Sequence, residues 1–222
     1  DVAVHVGTLL AVLFYFRHDL RGMLRAWREP PDDPVTRQRR RVSLALIIAT
    51  VPVVVVGGLF YASFAGVMRD VRIIAIATLL FGFLLLLADR YSPRARELRD
   101  LGYRDGLWIG LAQVLALVPG ASRSGVTLTM GRMLGFTPEA AARFSFLLSI
   151  PVIAAAGLRG AWAVAMDGSV LVWQQFLLAM GFAAVAGWFC IAMFLAVLKR
   201  LGLIPFIIYR LGLGLILLGI AL

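Results

Sequence analysis

Cysteine is nearly missing from this chain: Cys190 is the single one among 222 residues, and it lies within an apolar run. No intrachain disulfide can form, and no Cys/His cluster with metal-ligand spacing is present. Charge is scarce as well. Only 15% of the residues are Asp, Glu, Lys or Arg, against about 25% in soluble domains. Acids are the scarcer sign, 12 against 22 Lys and Arg, and no pair of them falls inside a hydrophobic run. The glycine fingerprint of nucleotide sites and any Ser-His-Asp set are both lacking, which removes those two chemistries. Histidine is limited to His5 and His18. No signal peptide is expected.

Long uncharged stretches are what the chain has instead. Hydrophobic residues make up 61% of it, the mean hydropathy is +0.91, and no charge occurs from Val42 to Met68 or from Gly168 to Leu198. A membrane span needs about 20 apolar residues, so each stretch can cross a bilayer. Residues 1–222 read as one integral membrane domain. The net charge of +10 would suggest nucleic acid in a soluble protein, but the arginines gather in two short loops, Arg17 to Arg41 and Arg90 to Arg104. Basic loops between spans mark the cytoplasmic side and its anionic lipid, which sets nucleic acid aside as a partner.

The coarse pattern is all helix: about six transmembrane helices and one re-entrant hairpin. Spans are expected at about Val2 to Phe16, Val42 to Phe64 with Pro52 inside, and after the Gly66 to Arg72 link to Ala88. Pro30, Pro31 and Pro34 are expected to break any helix in the first basic loop. Gly106 to Val118 holds only 13 apolar residues before Pro119-Gly120, and a second short stretch, Val126 to Gly135, follows. Two half-length helices joined at Pro-Gly read as a hairpin, 106–135, that dips into the membrane and returns. Thr137-Pro138-Glu139 then starts a helix to about Leu158, followed by spans within Val170 to Leu198 and from Pro205 to Leu222. Three spans in 1–88, then a hairpin with three more in 105–222, suggest an inverted repeat whose first hairpin is missing. The opening Asp1-Val2-Ala3-Val4, without Met, is expected to be a cut end.

The segment PGASRSG, Pro119 to Gly125, carries the chemistry. An arginine at membrane depth costs about 2.5–3.5 kcal/mol on insertion scales and is by default functional. Gly120 and Gly125 let backbone approach a ligand, and the helix beginning near Val126 points free N–H groups at the same spot. Ser122, Ser124 and Thr127 add hydroxyls, and the fork of Arg123 matches a phosphate. Together they describe a phosphate cradle. The alternative is an interfacial loop with Arg123 snorkelling to headgroups. Arg210 lines the same cavity or sits near the membrane edge. Gln113 lines it or makes an interhelical contact, the reading we prefer. His5 reads as a satisfied core residue and Glu139 as a first-turn helix acid. Hydrolysis of a phosphate ester or diphosphate normally needs a base or a carboxylate-held metal, and no metal ligands are evident.

Gln113 to Ile150, QVLALVPGASRSGVTLTMGRMLGFTPEAAARFSFLLSI, resembles the second signature region of the bacterial undecaprenyl-diphosphate phosphatase family, the BacA type. Asp1 to Leu20 and Ile204 to Gly214 resemble it too, so the likeness runs essentially end to end. It implies a multi-pass enzyme of the bacterial inner membrane. Such an enzyme removes the terminal phosphate of a polyprenyl diphosphate lipid, recycling the carrier for cell-wall peptidoglycan precursors. Arg123 then corresponds to the phosphate-binding arginine, with Ser122 and Ser124 beside it. The resemblance also implies an inverted-repeat fold, a divalent cation (Mg or Ca) whose ligands are not in this chain, and allows a homodimer. The family's upstream glutamate-rich signature is missing, so residues 1–222 are expected to bind diphosphate without hydrolysing it. A polyprenyl-phosphate flippase with the same anion site is the alternative; it would need no base.

Overall fold

The computed structural model describes the backbone of residues 2–64, 70–167 and 170–221, and the side chains of these outside 60–64, 156–167 and 170–172. In chain order the helices are α1 (Val2–Tyr15), α2 (Arg17–Arg28), α3 (Pro34–Phe64), α4 (Val71–Tyr91), α5 (Tyr103–Val114), α6 (Arg123–Met133), α7 (Pro138–Asp167), α8 (Val170–Leu201) and α9 (Ile204–Ala221). Short 3₁₀ turns occupy Leu98–Asp100 and Leu115–Leu117. Five helices hold stretches long and apolar enough to cross a membrane: Pro34–Leu59, Val71–Tyr91, Pro138–Ala155, Trp173–Leu201 and Ile204–Ala221. The sixth expected span corresponds to α1, apolar but only 14 residues long. The chain is an all-α, multi-pass membrane protein.

Three expectations need correction. The first basic loop contains a helix, α2, because Gly22 and Ala26 give it a smooth face that packs on the start of α3. Pro34 begins α3 instead of breaking a helix. It occupies the first helical position, where no N–H is needed, and Asp33 caps it: the Val35 and Thr36 N–H groups donate to Asp33 Oδ1 at 2.7 and 2.9 Å. Hydrogen bonding from Thr36, its side chain first and then its N–H, holds the Asp33 carboxyl below its ordinary pKa. Finally, α7 continues to Asp167 instead of stopping near Leu158. Within the expected Gly66 to Arg72 link, residues 66–69 lie outside the described residues.

Apolar burial does not drive helix association in lipid, where close backbone approach and interhelical hydrogen bonds do the work. The seam between α5 and α3 shows this. A Cβ on Gly106 would lie 2.7 Å from the Ala45 carbonyl oxygen, and one on Gly110 only 2.6 Å from Ala49 Cα. Gln113 continues the same helical face. It is fully buried there, and its amide donates to the Ala49 carbonyl at 3.3 Å. The structure therefore places Gln113 in an interhelical contact. Elsewhere, Gly7 meets Met180 and Ala183 of α8, and Gly214 meets Leu79 of α4. A core of Phe16, Leu85, Ile109, Phe144, Leu147, Leu148 and their neighbours fills the centre.

At the basic-loop end a buried arginine ties the layers together. Arg132, the tenth residue of α6, has no exposed surface. Its Nε pairs with Asp89 Oδ1 at 2.9 Å, and its other nitrogens donate to the carbonyls of Asp89, Ser92, Pro93 and Phe136. Every nitrogen is satisfied, so the desolvated charge is tolerated. Arg96 makes a second tie. Its guanidinium grips Asp105 at 2.9 and 2.7 Å and stacks over Phe136, 4.2 Å from the ring centroid. The Asp105 hydrogen bond raises the pKa of Arg96 further. The two ties fix the outer end of the α5–α6 hairpin.

Candidate active site

The hairpin forms because each arm is too short to cross and each end is dictated locally. After α5 a single 3₁₀ turn tightens the chain, and Val118 turns extended. Pro119 cannot donate, and Gly120 adopts φ +89°, a region open chiefly to glycine. A Cβ at Gly120 would also strike the Ile74 carbonyl oxygen of α4. Thr78 Oγ1 lies 2.7 Å from that oxygen and 3.2 Å from the Gly120 oxygen, bracing the tip on α4. Ala121 and Val126 wedge against Ala77 and Phe81.

Two lengths compare the depth of this tip with the thickness of a bilayer. From Tyr103 to Leu117 the descending arm rises ~24 Å. Along α4, Ile74 lies 17 residues from Tyr91, or ~26 Å. The hydrocarbon core is about 30 Å thick. The hairpin enters from the basic-loop side, and its tip comes within roughly one helical turn of the far end of α4.

Ser122 caps α6 at an unusual φ of +60°, its Oγ accepting from the Gly125 N–H at 3.3 Å and lying 3.3 Å from Ser124 Oγ. The other first-turn N–H groups of α6 have no intrahelical acceptor and carry its positive dipole end. Both serines are exposed at the tip, while Thr127 is buried, its Oγ1 2.7 Å from Ser145 Oγ of α7 and 3.0 Å from the Arg123 carbonyl. Thr127 thus braces the first turn of α6 from behind and turns its hydroxyl away from the exposed side.

Arg123 begins α6, and its Nη1 is buried with no hydrogen-bond partner. Arg210 reaches the tip from α9. Its Nη2 donates to the Gly120 and Ala121 carbonyls at 3.0 and 2.9 Å, and its Nη1 lies against Gly125 where a Cβ would otherwise sit. Its Nε and Nη1 are also buried without partners. Gly125 is therefore needed because a guanidinium occupies its side-chain space. Gly120, Ser122, Arg123, Ser124, Gly125 and Arg210 come together at one tip, and Gln113 stands apart in the α3 seam. Unpaired buried donors are costly (about 1–3 kcal/mol each, more when charged), and at this tip both Arg123 and Arg210 carry them.

Sequence reasoning missed Thr78 and Ser145, lone hydroxyls in apolar helices whose contacts depend on tertiary packing. Among the described residues no three His, Cys, Asp or Glu side chains come together. The residues described at this tip therefore do not fit a divalent ion by themselves. No carboxylate hydrogen-bonds Ser122 or Ser124 among the described residues. A crevice of about 210 Å³ starts at Ser124 and runs between Leu128, Phe146, Ile191 and Phe194. A larger bowl of about 1010 Å³ lies at the basic-loop end, far from the tip. Its Arg94, Arg99 and Lys199 are paired with Asp89, Glu97 and Glu139, while Arg143 pairs with Asp19 and Arg200 adds a further positive charge.

The family model described as "Bacitracin resistance protein BacA" matches residues 1–216. An "Undecaprenyl-diphosphatase" of Alteromonas mediterranea is 44% identical over 218 residues, 98% of this chain and 82% of that protein. One of Chromohalobacter salexigens is 45% identical over the same shares. An "Undecaprenyl-diphosphatase 2" of Stutzerimonas stutzeri is likewise 45% identical, over 227 residues.

Proposed function

This chain belongs to the bacitracin resistance protein BacA family, and we propose on that premise that it is an undecaprenyl-diphosphatase whose diphosphate-binding tip is the α5–α6 hairpin. The observation that carries the assignment of the tip is the convergence of two arginines, from α6 and α9, with buried unpartnered nitrogens. Arg123 takes the phosphoryl oxygens with its free Nη1. Arg210 holds the tip by its carbonyls and turns its remaining N–H groups to the same anion. The free amides at the start of α6 complete the cradle. Charge developing on the transferred phosphoryl is neutralised by donors already in place.

In the reaction an oxygen nucleophile attacks the terminal phosphorus. The bond from that phosphorus to the bridging oxygen breaks, and the lipid monophosphate leaves with the bridging oxygen. Ser122 is committed to capping α6, so Ser124 is the freer hydroxyl of the two. The isoprenoid tail leaves the tip through the membrane-facing surface. Because the tip nears the end of α4 opposite the basic loops, the cradle opens to the external face of the inner membrane, with the basic loops inside.

The test is phosphate release from a polyprenyl diphosphate in detergent, with a filter assay for diphosphate binding alongside. In the chain that also carries the family's upstream signature, Arg123→Ala and Arg123→Lys should each lose on the order of a hundredfold or more in rate, since an ammonium cannot reproduce the fork. Near-full turnover of Arg123→Lys would refute bidentate recognition. The same assay compares the 222-residue chain with one that also carries the family's upstream signature. Binding by both with turnover only in the longer one is the expected pattern.

A further inference from the structure

The helix α2 joins the short apolar helix α1 to the span in α3, and its sequence, RHDLRGMLRAWR, is divided more sharply than that of any other helix described. At about 100° per residue it falls into three sectors. Gly22 and Ala26 form the first, buried against the start of α3. There the Arg39 guanidinium lies over Gly22 and Arg40 Nε donates to the Ala26 carbonyl at 2.6 Å. Leu20, Met23, Leu24 and Trp27 form the second, with Leu24 65% and Trp27 49% exposed. Arg17, Arg21, Arg25 and Arg28 form the third, on the opposite flank of the apolar one. Among the described residues none of these four arginines is in an ion pair. The single acid in α2, Asp19, is already engaged by Arg143 of α7 at 3.0 Å.

An exposed leucine and tryptophan beside unpaired arginines would be a liability in water. They match the boundary of a bilayer, where apolar side chains enter the acyl region and arginines meet phosphate headgroups. The position is right, because α2 packs on the first turns of α3, just before its uncharged run opens at Val42. The surroundings have the same sign: between Arg17 and Arg41 there are eight arginines and four acids. We propose that α2 is an interfacial anchor that binds the anionic phospholipid headgroups of the leaflet on the basic-loop side, with Leu24 and Trp27 inserted beneath them. This surface lies at the end of the molecule opposite the hairpin tip and does not depend on the phosphatase reading.

The test uses the full chain carrying Cys190→Ser and Leu24→Cys, labelled with an environment-sensitive fluorophore. It is reconstituted in phosphatidylcholine vesicles with and without phosphatidylglycerol. The label should report an apolar setting in the anionic vesicles and be quenched by acyl-chain quenchers about 5–10 Å below the headgroups. Neutralising Arg21, Arg25 and Arg28 to Gln should lower the docked-to-undocked ratio about fivefold per arginine, on the order of a hundredfold in all. Raised salt should act in the same direction, and lysines at the three positions should restore docking. A label in water in anionic vesicles overturns the proposal and points to a soluble partner for this face. A label equally buried in neutral vesicles, and insensitive to the triple Gln variant, shows packing without headgroup recognition and overturns it too.

Discussion

Gly125→Ala is the substitution through which the tip geometry can be tested most sharply. The new methyl lands on Arg210 Nη1, the far end of a flexible side chain, so the backbone can stay while the guanidinium leaves. Two bonds go with it, to Gly120 and Ala121 at 3.0 and 2.9 Å. Hydrogen bonds to charged groups are worth about 1.5–3 kcal/mol each in soluble proteins. Measured interhelical bonds in membranes average nearer 0.6 kcal/mol, with a maximum of about 1.7, and the tip is in the membrane. We take about 1–3 kcal/mol for the pair. Against this, replacing glycine by alanine in a helix gains about 0.5–1 kcal/mol. Gly125→Ala should therefore destabilise by about 0–2.5 kcal/mol, and Arg210→Ala by about 1–3, since both lose the same two bonds. The double variant should then be no worse than Arg210→Ala alone, and should recover the alanine gain. Unfolding free energies from denaturant titration in mild detergent close the cycle, and phosphate release in the chain that also carries the family's upstream signature follows the function, with each single variant down by on the order of a hundredfold. Additivity within ~0.5 kcal/mol would show that the methyl and the guanidinium do not share one space, and the account of the tip would be wrong.

The remaining predictions concern the frame. Arg132→Met strips Asp89 of its buried partner and should cost about 3–5 kcal/mol, read as a lowered melting temperature in detergent; a variant as stable as the parent refutes the tie. Cysteines placed at Asp70 and Arg99 in a Cys190→Ser background should react with an impermeant reagent from opposite sides of the membrane, and labelling from one side breaks the orientation of α4. The Asp33 cap has a folded pKa below its unfolded value, so its contribution is complete above about pH 4 and is lost as pH falls through the folded value. The protection factor of the Thr36 amide, its rate relative to the unfolded amide at the same pH, should fall in that acidic window and stay constant with pH in Asp33→Asn.

Much of this was legible in the chain because bilayer thickness acts on local sequence. An uncharged run long enough to cross becomes a spanning helix whatever surrounds it, and one of 13 residues ending at Pro-Gly has to turn back. That is why most of the spans and the turn-back at Pro119-Gly120 could be read from the chain, and why Arg123 between Ser122 and Ser124 stood out. Caps follow the same local logic, and overlooking Asp33 as a cap was what made Pro34 look like a breaker. α2 escaped notice because its reason for being helical is partly elsewhere: Gly22 and Ala26 fit under Arg39 and Arg40 of another helix.

Contacts across the bundle could not be read in this way. Arg210 lies 85 residues from Gly125, and nothing in either neighbourhood says that one guanidinium fills the space the other leaves. Arg132 looked like one more basic residue until Asp89, 43 positions earlier, closed on it. Sequence alone determined which segments are helical and apolar enough to enter the membrane, since that depends on each segment and the solvent around it. Only the tertiary structure decided which buried charges are satisfied and which, at Arg123 and Arg210, still have nitrogens without partners, because satisfaction depends on atoms brought within three ångströms by packing.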